Sequence, residues 1–206
     1  MFDIHAHIGA LNNDALVATS HIEEFDNLTF FKYRAYGSLR YKNDDLLAIK
    51  KYVSNDNKAL IGEVGLDRRS TLEGQEDFLR EIIIFAKEIN RPIIFHLVGH
   101  YDIFFNLIER YKPLPPFLVH SFTSSYEVAA RIIKNNGYIS LSPRALYCKS
   151  FKRLLTLPFL LETDLITGDE QTKTLGLWYN TVSKELNINI ERLEDIIDER
   201  RTVFTS

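Results

Sequence analysis

A single cysteine, Cys148, stands among 206 residues. No internal disulfide can form, which excludes a disulfide-stapled secreted scaffold and suits a reducing compartment. Long hydrophobic runs are missing as well, and no apolar stretch approaches the roughly 18 residues of a membrane span. The N-terminus, Met1-Phe2-Asp3-Ile4-His5, has an acid and a histidine where a signal peptide needs basic and then apolar residues. Basic excess is absent too. The formal net charge is −3, which argues against a sequence-independent nucleic-acid coat, whose affinity rests on phosphate neutralisation. Any polyanion should therefore meet a local site, where metal ions can supply positive charge. Repeats, low-complexity tracts and Gly/Ser-rich linkers are also lacking. The length suits one large core, and the expectation is one cytoplasmic domain spanning residues 1–206, with no membrane segment.

What is present is alternation. Short apolar runs rich in β-branched and aromatic residues predict strands at Phe2–His5, Ala15–Thr19, Phe31–Tyr36, Ala59–Val64, Pro92–His96, Phe117–His120, Tyr138–Leu141 and Phe159–Glu162. Helical spacing predicts helices at Asp44–Tyr52, Glu76–Ile89, Asp102–Tyr111, Ser125–Asn135 and Ile190–Phe204, with Trp178 and Tyr179 as core residues of a further late helix. Eight strands alternating with helices predict an α/β fold, a (β/α)8 TIM-type barrel with catalytic groups at the C-terminal strand ends. Only about ten residues separate the first two strands, too few for an ordinary crossover helix. A compact barrel with a missing or reduced early helix is expected.

The strand ends carry the chemistry. In Asp3-Ile4-His5-Ala6-His7, alternate side chains share a face, so His5 and His7 point the same way with Asp3 behind them. Glu63 is an acid near the end of an otherwise apolar strand, His96 and His120 each end one, and Asp164 follows another. In a barrel these ends form one ring, where charged groups are costly to bury unless paired or bound to metal. Nitrogen and carboxylate donors without thiolate suit magnesium, manganese or zinc. His5, His7, Glu63, His96, His120 and Asp164 are accordingly the candidate metal ligands.

In order, the blocks Asp3–His7, Ile61-Gly62-Glu63-Val64-Gly65-Leu66-Asp67, Pro92–His96, His120-Ser121-Phe122-Thr123-Ser124 and Leu161-Glu162-Thr163-Asp164 resemble the signature blocks of the TatD family. That family comprises metal-dependent deoxyribonucleases of the amidohydrolase-like superfamily. The resemblance implies two divalent ions, one held by His5, His7, Glu63 and Asp164 and the other by Glu63, His96 and His120, with Glu63 bridging. It further implies Asp164 and Glu63 as catalytic residues, Asp164 as general base, Asp67 as an orienting group, and DNA or another phosphodiester as substrate.

Three stretches depart from the family pattern. Gly37-Ser38-Leu39-Arg40 replaces a Gly-x-His-Pro element, Leu97-Val98 replaces a Ser-Arg pair, and His120-Ser121-Phe122-Thr123-Ser124 replaces His-Cys-Phe-Ser-Gly. All three fall near the expected substrate, so the reading is of a shortened, divergent member with an altered pocket. Two alternatives stay open: an ester or amide hydrolase of the same superfamily, and a metal-bearing subunit of a nucleic-acid defence assembly. Arg40, Arg68 and Arg69 are candidate phosphate contacts. His21 is read as a bland polar residue, His100 as outside the metal set, and Cys148 as packing rather than a nucleophile.

Overall fold

All residues from 1 to 206 are described in a computed structural model. Eight parallel strands follow one another around a single sheet in sequence order. They are β1 (Asp3–Ala6), β2 (Ala15–Ala18), β3 (Tyr33–Tyr36), β4 (Leu60–Asp67), β5 (Ile93–Val98), β6 (Phe117–Val119), β7 (Gly137–Leu141) and β8 (Phe159–Leu161). β1, β2, β4, β6 and β8 are buried at every position. That explains why they are mostly apolar, with one face lining the barrel and the other meeting the outer layer, so that Asp3 and His5 in β1 and Glu63 and Asp67 in β4 stand out.

The helices are α1 (Phe25–Leu28), α2 (Asn43–Asn55), α3 (Gln75–Ile89), α4 (Tyr101–Arg110), α5 (Tyr126–Lys134), α6 (Phe151–Leu154), α7 (Asp169–Leu186) and α8 (Ile190–Thr205). None is long and apolar enough to cross a membrane. α3 shows how the outer layer is specified. Phe78, Leu79, Ile82, Ile83, Phe85 and Ala86 are buried on its inner face, Glu76 and Asp77 lie in its first turn, and left-handed Asn90 ends it. Trp178 and Tyr179 are core residues of α7, as expected. The Trp178 indole donates to the Leu141 carbonyl at 2.7 Å, and the Tyr179 hydroxyl donates to the Phe2 carbonyl at 2.8 Å.

The missing early crossover is where sequence length placed it. No helix joins β1 to β2, and only a 3-10 turn (Ile22–Glu24) and α1 join β2 to β3. A second economy was not anticipated: β7 reaches β8 through a 3-10 turn (Pro143–Tyr147) and the short α6.

Two irregularities aim side chains into the mouth. β4 runs three residues past its expected end at Val64, because the pairing register shifts between Ile61 and Val64 and then resumes through Asp67 opposite Val98. The bulge turns Glu63 inward from mid-strand rather than from a strand end. Gly37 makes room for it, since a Cβ there would lie 2.2 Å from the Glu63 amide nitrogen. The barrel closes beyond β8. His7 N donates to Leu165 O at 2.8 Å, Thr167 N to His7 O at 3.0 Å, and Asp164 N to His5 O at 3.2 Å.

Candidate metal centre

The fold brings the six sequence-predicted residues His5, His7, Glu63, His96, His120 and Asp164 into one cluster at the C-terminal mouth. Three overlapping sets have ligand atoms close enough to share a cation: His5, His7 and Glu63; His5, His120 and Asp164; and Glu63, His96 and His120. Glu63 lies at the centre. Its Oε2 lies 3.7 Å from His5 Nε2 and 3.9 Å from His7 Nε2, while Oε1 lies 2.7 Å from His96 Nδ1 and 3.2 Å from His120 Nε2. Asp164 Oδ1 is 3.2 Å from His7 Nε2 and 3.8 Å from His5 Nε2.

These separations fit shared cations. Two donors each about 2.1 Å from one ion stand roughly 3.4 Å apart at a tetrahedral angle. A sharper test is His5, which is fully buried with neither ring nitrogen hydrogen-bonded. An imidazole stranded in that way is costly, and a cation against Nε2 would satisfy it. His120 Nδ1 is likewise buried without a hydrogen bond, 3.7 Å from Glu162 Oε1, which is too long for one. The residues present therefore fit divalent metal.

Electrostatics agree with the geometry. Burial pushes Glu63 up, but His120, His96 and His5 outweigh it and hold the carboxyl well below its usual range. Burial also opposes charge on Asp164, yet its His7 hydrogen bond and the charge of His120 keep it low. Burial, with His120 beside it, drives His5 well down, so it stays neutral. Burial pulls His120 down too, but Glu63 and Glu162 carry it well above its ordinary value. The carboxylates thus stay anionic and His5 neutral, as a cation needs, whereas His7 and His120 are held toward the protonated form by Asp164, Glu63 and Glu162 and must release a proton to bind one.

A supporting layer surrounds this cluster. Asp67 Oδ2 sits 3.2 Å from His96 Nε2, as its orienting role implied, and Gln75 fixes the Asp67 backbone by donating to its carbonyl and accepting from its amide. Asp3, behind the paired histidines, accepts from Thr163 Oγ1 and Gln171 Nε2, both at 2.6 Å. Sequence reasoning gave Glu162 no role. It is fully buried, accepts from Ser121 N and Ser140 Oγ, and faces His120. The signal that found Glu63, an acid in an apolar strand, was available for Glu162 as well.

Beside the cluster opens a pocket of about 480 Å³ lined by Arg68, Arg69, His96, His120, Arg144 and Asp164 among others. Arg144 went unnoticed in the sequence because Ser142-Pro143-Arg144 reads as an ordinary turn, yet its Nη1 donates to Asp164 Oδ2 at 2.8 Å. Arg40 corrects the opposite way. It is clamped by Asp45, with Nε and Nη2 each at 2.9 Å, and by Glu23, and it lies outside this pocket. His21 is exposed and caps the 3-10 turn before α1. His100 precedes α4 in a left-handed conformation and belongs to none of the ligand sets. The Cys148 thiol donates to the Thr123 and Ser124 carbonyls at 3.2 and 3.3 Å, consistent with a packing role.

Comparison with known proteins places the chain. The family described as TatD related DNase matches residues 7–199. An uncharacterized metal-dependent hydrolase of Methanocaldococcus jannaschii is 28% identical over 193 residues, covering 84% of this chain and 76% of the relative. YabD of Bacillus subtilis, also named an uncharacterized metal-dependent hydrolase, is 34% identical over 128 residues, or 58% of this chain and 49% of that protein. Among solved structures, the TatD homologue YjjV of Escherichia coli superposes with a TM-score of 0.79 at 18% identity, covering 92% of this chain and 85% of that one. A TatD family hydrolase of Entamoeba histolytica gives 0.73 at 16% identity, covering 93% and 85%. The structural likenesses carry the barrel, and the family match carries the rest: the chain belongs to the TatD related DNase family and is a metal-dependent hydrolase.

Proposed function

We propose that this hydrolase cleaves phosphodiester bonds in DNA, as a single cytoplasmic barrel domain. His5, His7, Glu63 and Asp164 would hold one divalent ion, and Glu63, His96 and His120 a second. The observation that carries this reading is the division of Glu63, with Oε2 turned to His5 and His7 and Oε1 to His96 and His120. Ions held there would supply Lewis acidity to a phosphoryl oxygen and a more acidic water. The chain's own residues do the remainder. Glu63 holds the two histidine pairs in register. Asp164 keeps Oδ1 on the histidines and turns Oδ2 toward the pocket, where it can accept the proton of the attacking water. Asp67 holds His96 in orientation.

The substrate assignment is supported by the pocket wall. Arg68, Arg69 and Arg144 line one opening; Arg69 and Arg144 are paired with Asp67 and Asp164, and the unpaired Arg68 guanidinium suits a phosphate oxygen better than a neutral ester or amide.

The test is DNA cleavage with magnesium, manganese and zinc in parallel, comparing wild type with Glu63→Gln and Asp164→Asn. Metal-dependent cleavage lost in both variants is the expected result. Wild-type protein that binds metal yet leaves single- and double-stranded DNA intact overturns the DNase assignment.

A further inference from the structure

The three arginines of the pocket differ in how their charge is used. Arg69 is taken up by Asp67, its Nε lying 2.9 and 3.0 Å from the two carboxylate oxygens. Arg144 is taken up by Asp164 at 2.8 Å. Arg68 makes no salt bridge and no side-chain hydrogen bond; its only hydrogen bond is from its backbone amide to Val98 O, at 2.9 Å. Its stem nevertheless packs against backbone. Its aliphatic stem lies across Gly99, where an added Cβ would come within 2.7 Å of Arg68 Cδ. Gly99 has φ +79°, a conformation a side-chain-bearing residue rarely adopts. The stem therefore lies over the C-terminal end of β5, and Arg68 lines the pocket together with Tyr101, Thr123 and Ser124.

Arg68 is exposed to solvent and unpaired at the mouth of the cluster, so its guanidinium is free to take an anion from elsewhere. One internucleotide phosphate carries a single negative charge and, on the reading above, would be met at the metal ligands. The pocket volume of about 480 Å³ falls within the roughly 300–1,000 Å³ of small-molecule sites, space for more than the scissile group. We infer that Arg68, with the hydroxyls of Thr123 and Ser124 and the stem-supporting Gly99, forms a subsite for a second phosphate of the substrate, adjacent to the bond that is cut. This rests on the phosphodiesterase reading above. Arg68 binds a phosphate there through its fork of N–H donors, and the hydroxyls add further donors. The second phosphate is either a terminal monoester or the next internal diester.

Calorimetric titration of the manganese-loaded protein with thymidine 3′,5′-bisphosphate and with thymidine 5′-monophosphate tests the subsite without turnover. Wild type should bind the bisphosphate about ten- to a hundredfold more tightly, the factor that one or two charge-assisted hydrogen bonds carry. Arg68→Ala should bring that ratio close to one, and Arg68→Lys should restore part of it. Equal affinities in wild type, or a ratio untouched by Arg68→Ala, overturn the subsite. Hydrolysis of TpT, pTpT and TpTpT separates the sources. A kcat/KM preference for pTpT alone assigns a terminal phosphate, and one for TpTpT as well assigns an internal one. Turnover of TpT with no preference for either longer substrate removes the subsite and leaves the phosphodiesterase reading standing. No turnover of any of them removes the phosphodiesterase reading, while the calorimetric ratio still decides whether the second anion site exists.

Discussion

The floor and the rim of the barrel mouth obey different physics. In the floor, His5, Glu63 and His120 are at most 4% exposed, and each is surrounded by opposite charge or by other ligands. Changing one strands its neighbours, and an unpaired buried charge is among the most expensive defects a fold can carry. On the rim, the side chains of Arg69 and Arg144 are 67% and 69% exposed. Exposed ion pairs contribute little to stability, so these positions can change without threatening the fold. The rim is itself uneven. On the β3 side Arg40 is locked by Asp45 and Glu23, whereas toward β4, β5 and β7 the guanidinium groups line an open pocket. On the proposed function, reaction type would be set by the floor and substrate choice by the rim.

The largest effect should come from breaking the floor at its centre. Glu63→Gln replaces the carboxylate that faces both histidine pairs, and the loss in metal content and cleavage should exceed the roughly 10–100-fold typical of outer positions. Elemental analysis beside a DNA cleavage assay measures it. A variant that keeps full metal content would show that Glu63 is not shared between ions. Glu162→Gln comes next. It leaves the ligands intact but removes the charge facing His120 and weakens acceptance from Ser121 N and Ser140 Oγ. Metal affinity, read by competition with a chelating dye, should fall by about 10–100-fold. Unchanged affinity with a lowered Tm would make Glu162 a structural residue only.

The same division decides what could be read in advance. Burial ties residue type to position, so apolar runs marked the strands, and a polar residue within or ending such a run marked a candidate ligand. His5, Glu63, His96 and His120 were legible for that reason. The early shortening was legible from the roughly ten residues between the first two strands. The bulge that carries β4 on to Asp67 was not, although glycine inside a strand, as at Gly62, is a bulge signal: glycine equally marks a strand end, and only the pairing with β5 decides. Nor were the arginine roles. Arg40 and Arg144 look alike in sequence, and only packing reveals that one lies beside buried Asp45 and the other beside Asp164.

A third effect, on stability rather than chemistry, tests whether the floor depends on closure of the barrel. The Tyr179 hydroxyl donates to Phe2 O at 2.8 Å and accepts from Phe2 N at 3.2 Å, pinning the entry to β1 against α7. Tyr179→Phe leaves both backbone groups without that partner and should cost about 1–2 kcal/mol in urea unfolding, with metal content retained. A variant that loses metal as well would mean that the position of β1, and with it His5 and His7, depends on this one hydroxyl.

The smallest effect lies at the opposite end of the barrel from the mouth, where charge has no catalytic task. Arg34, early in β3, bonds Asp56 at the end of α2, and Asp56 also accepts from Lys58 N at 3.1 Å. Partial burial opposes ionisation of Asp56, but the Arg34 hydrogen bond outweighs it and lowers the carboxyl below its ordinary value. A folded-state pKa below the unfolded value of about 3.9 contributes stability that is complete above about pH 4 and is lost as pH falls through the folded pKa. The pair is partly exposed, so its contribution at pH 7 should be no more than about 0.5–1 kcal/mol. Urea unfolding of wild type and Asp56→Asn from pH 7 to pH 3 should show that difference shrinking at the acid end, since protonated Asp56 resembles the amide. A difference that holds constant to pH 3 would mean that the ion pair is not its source, and that the acceptor geometry around Lys58 N is.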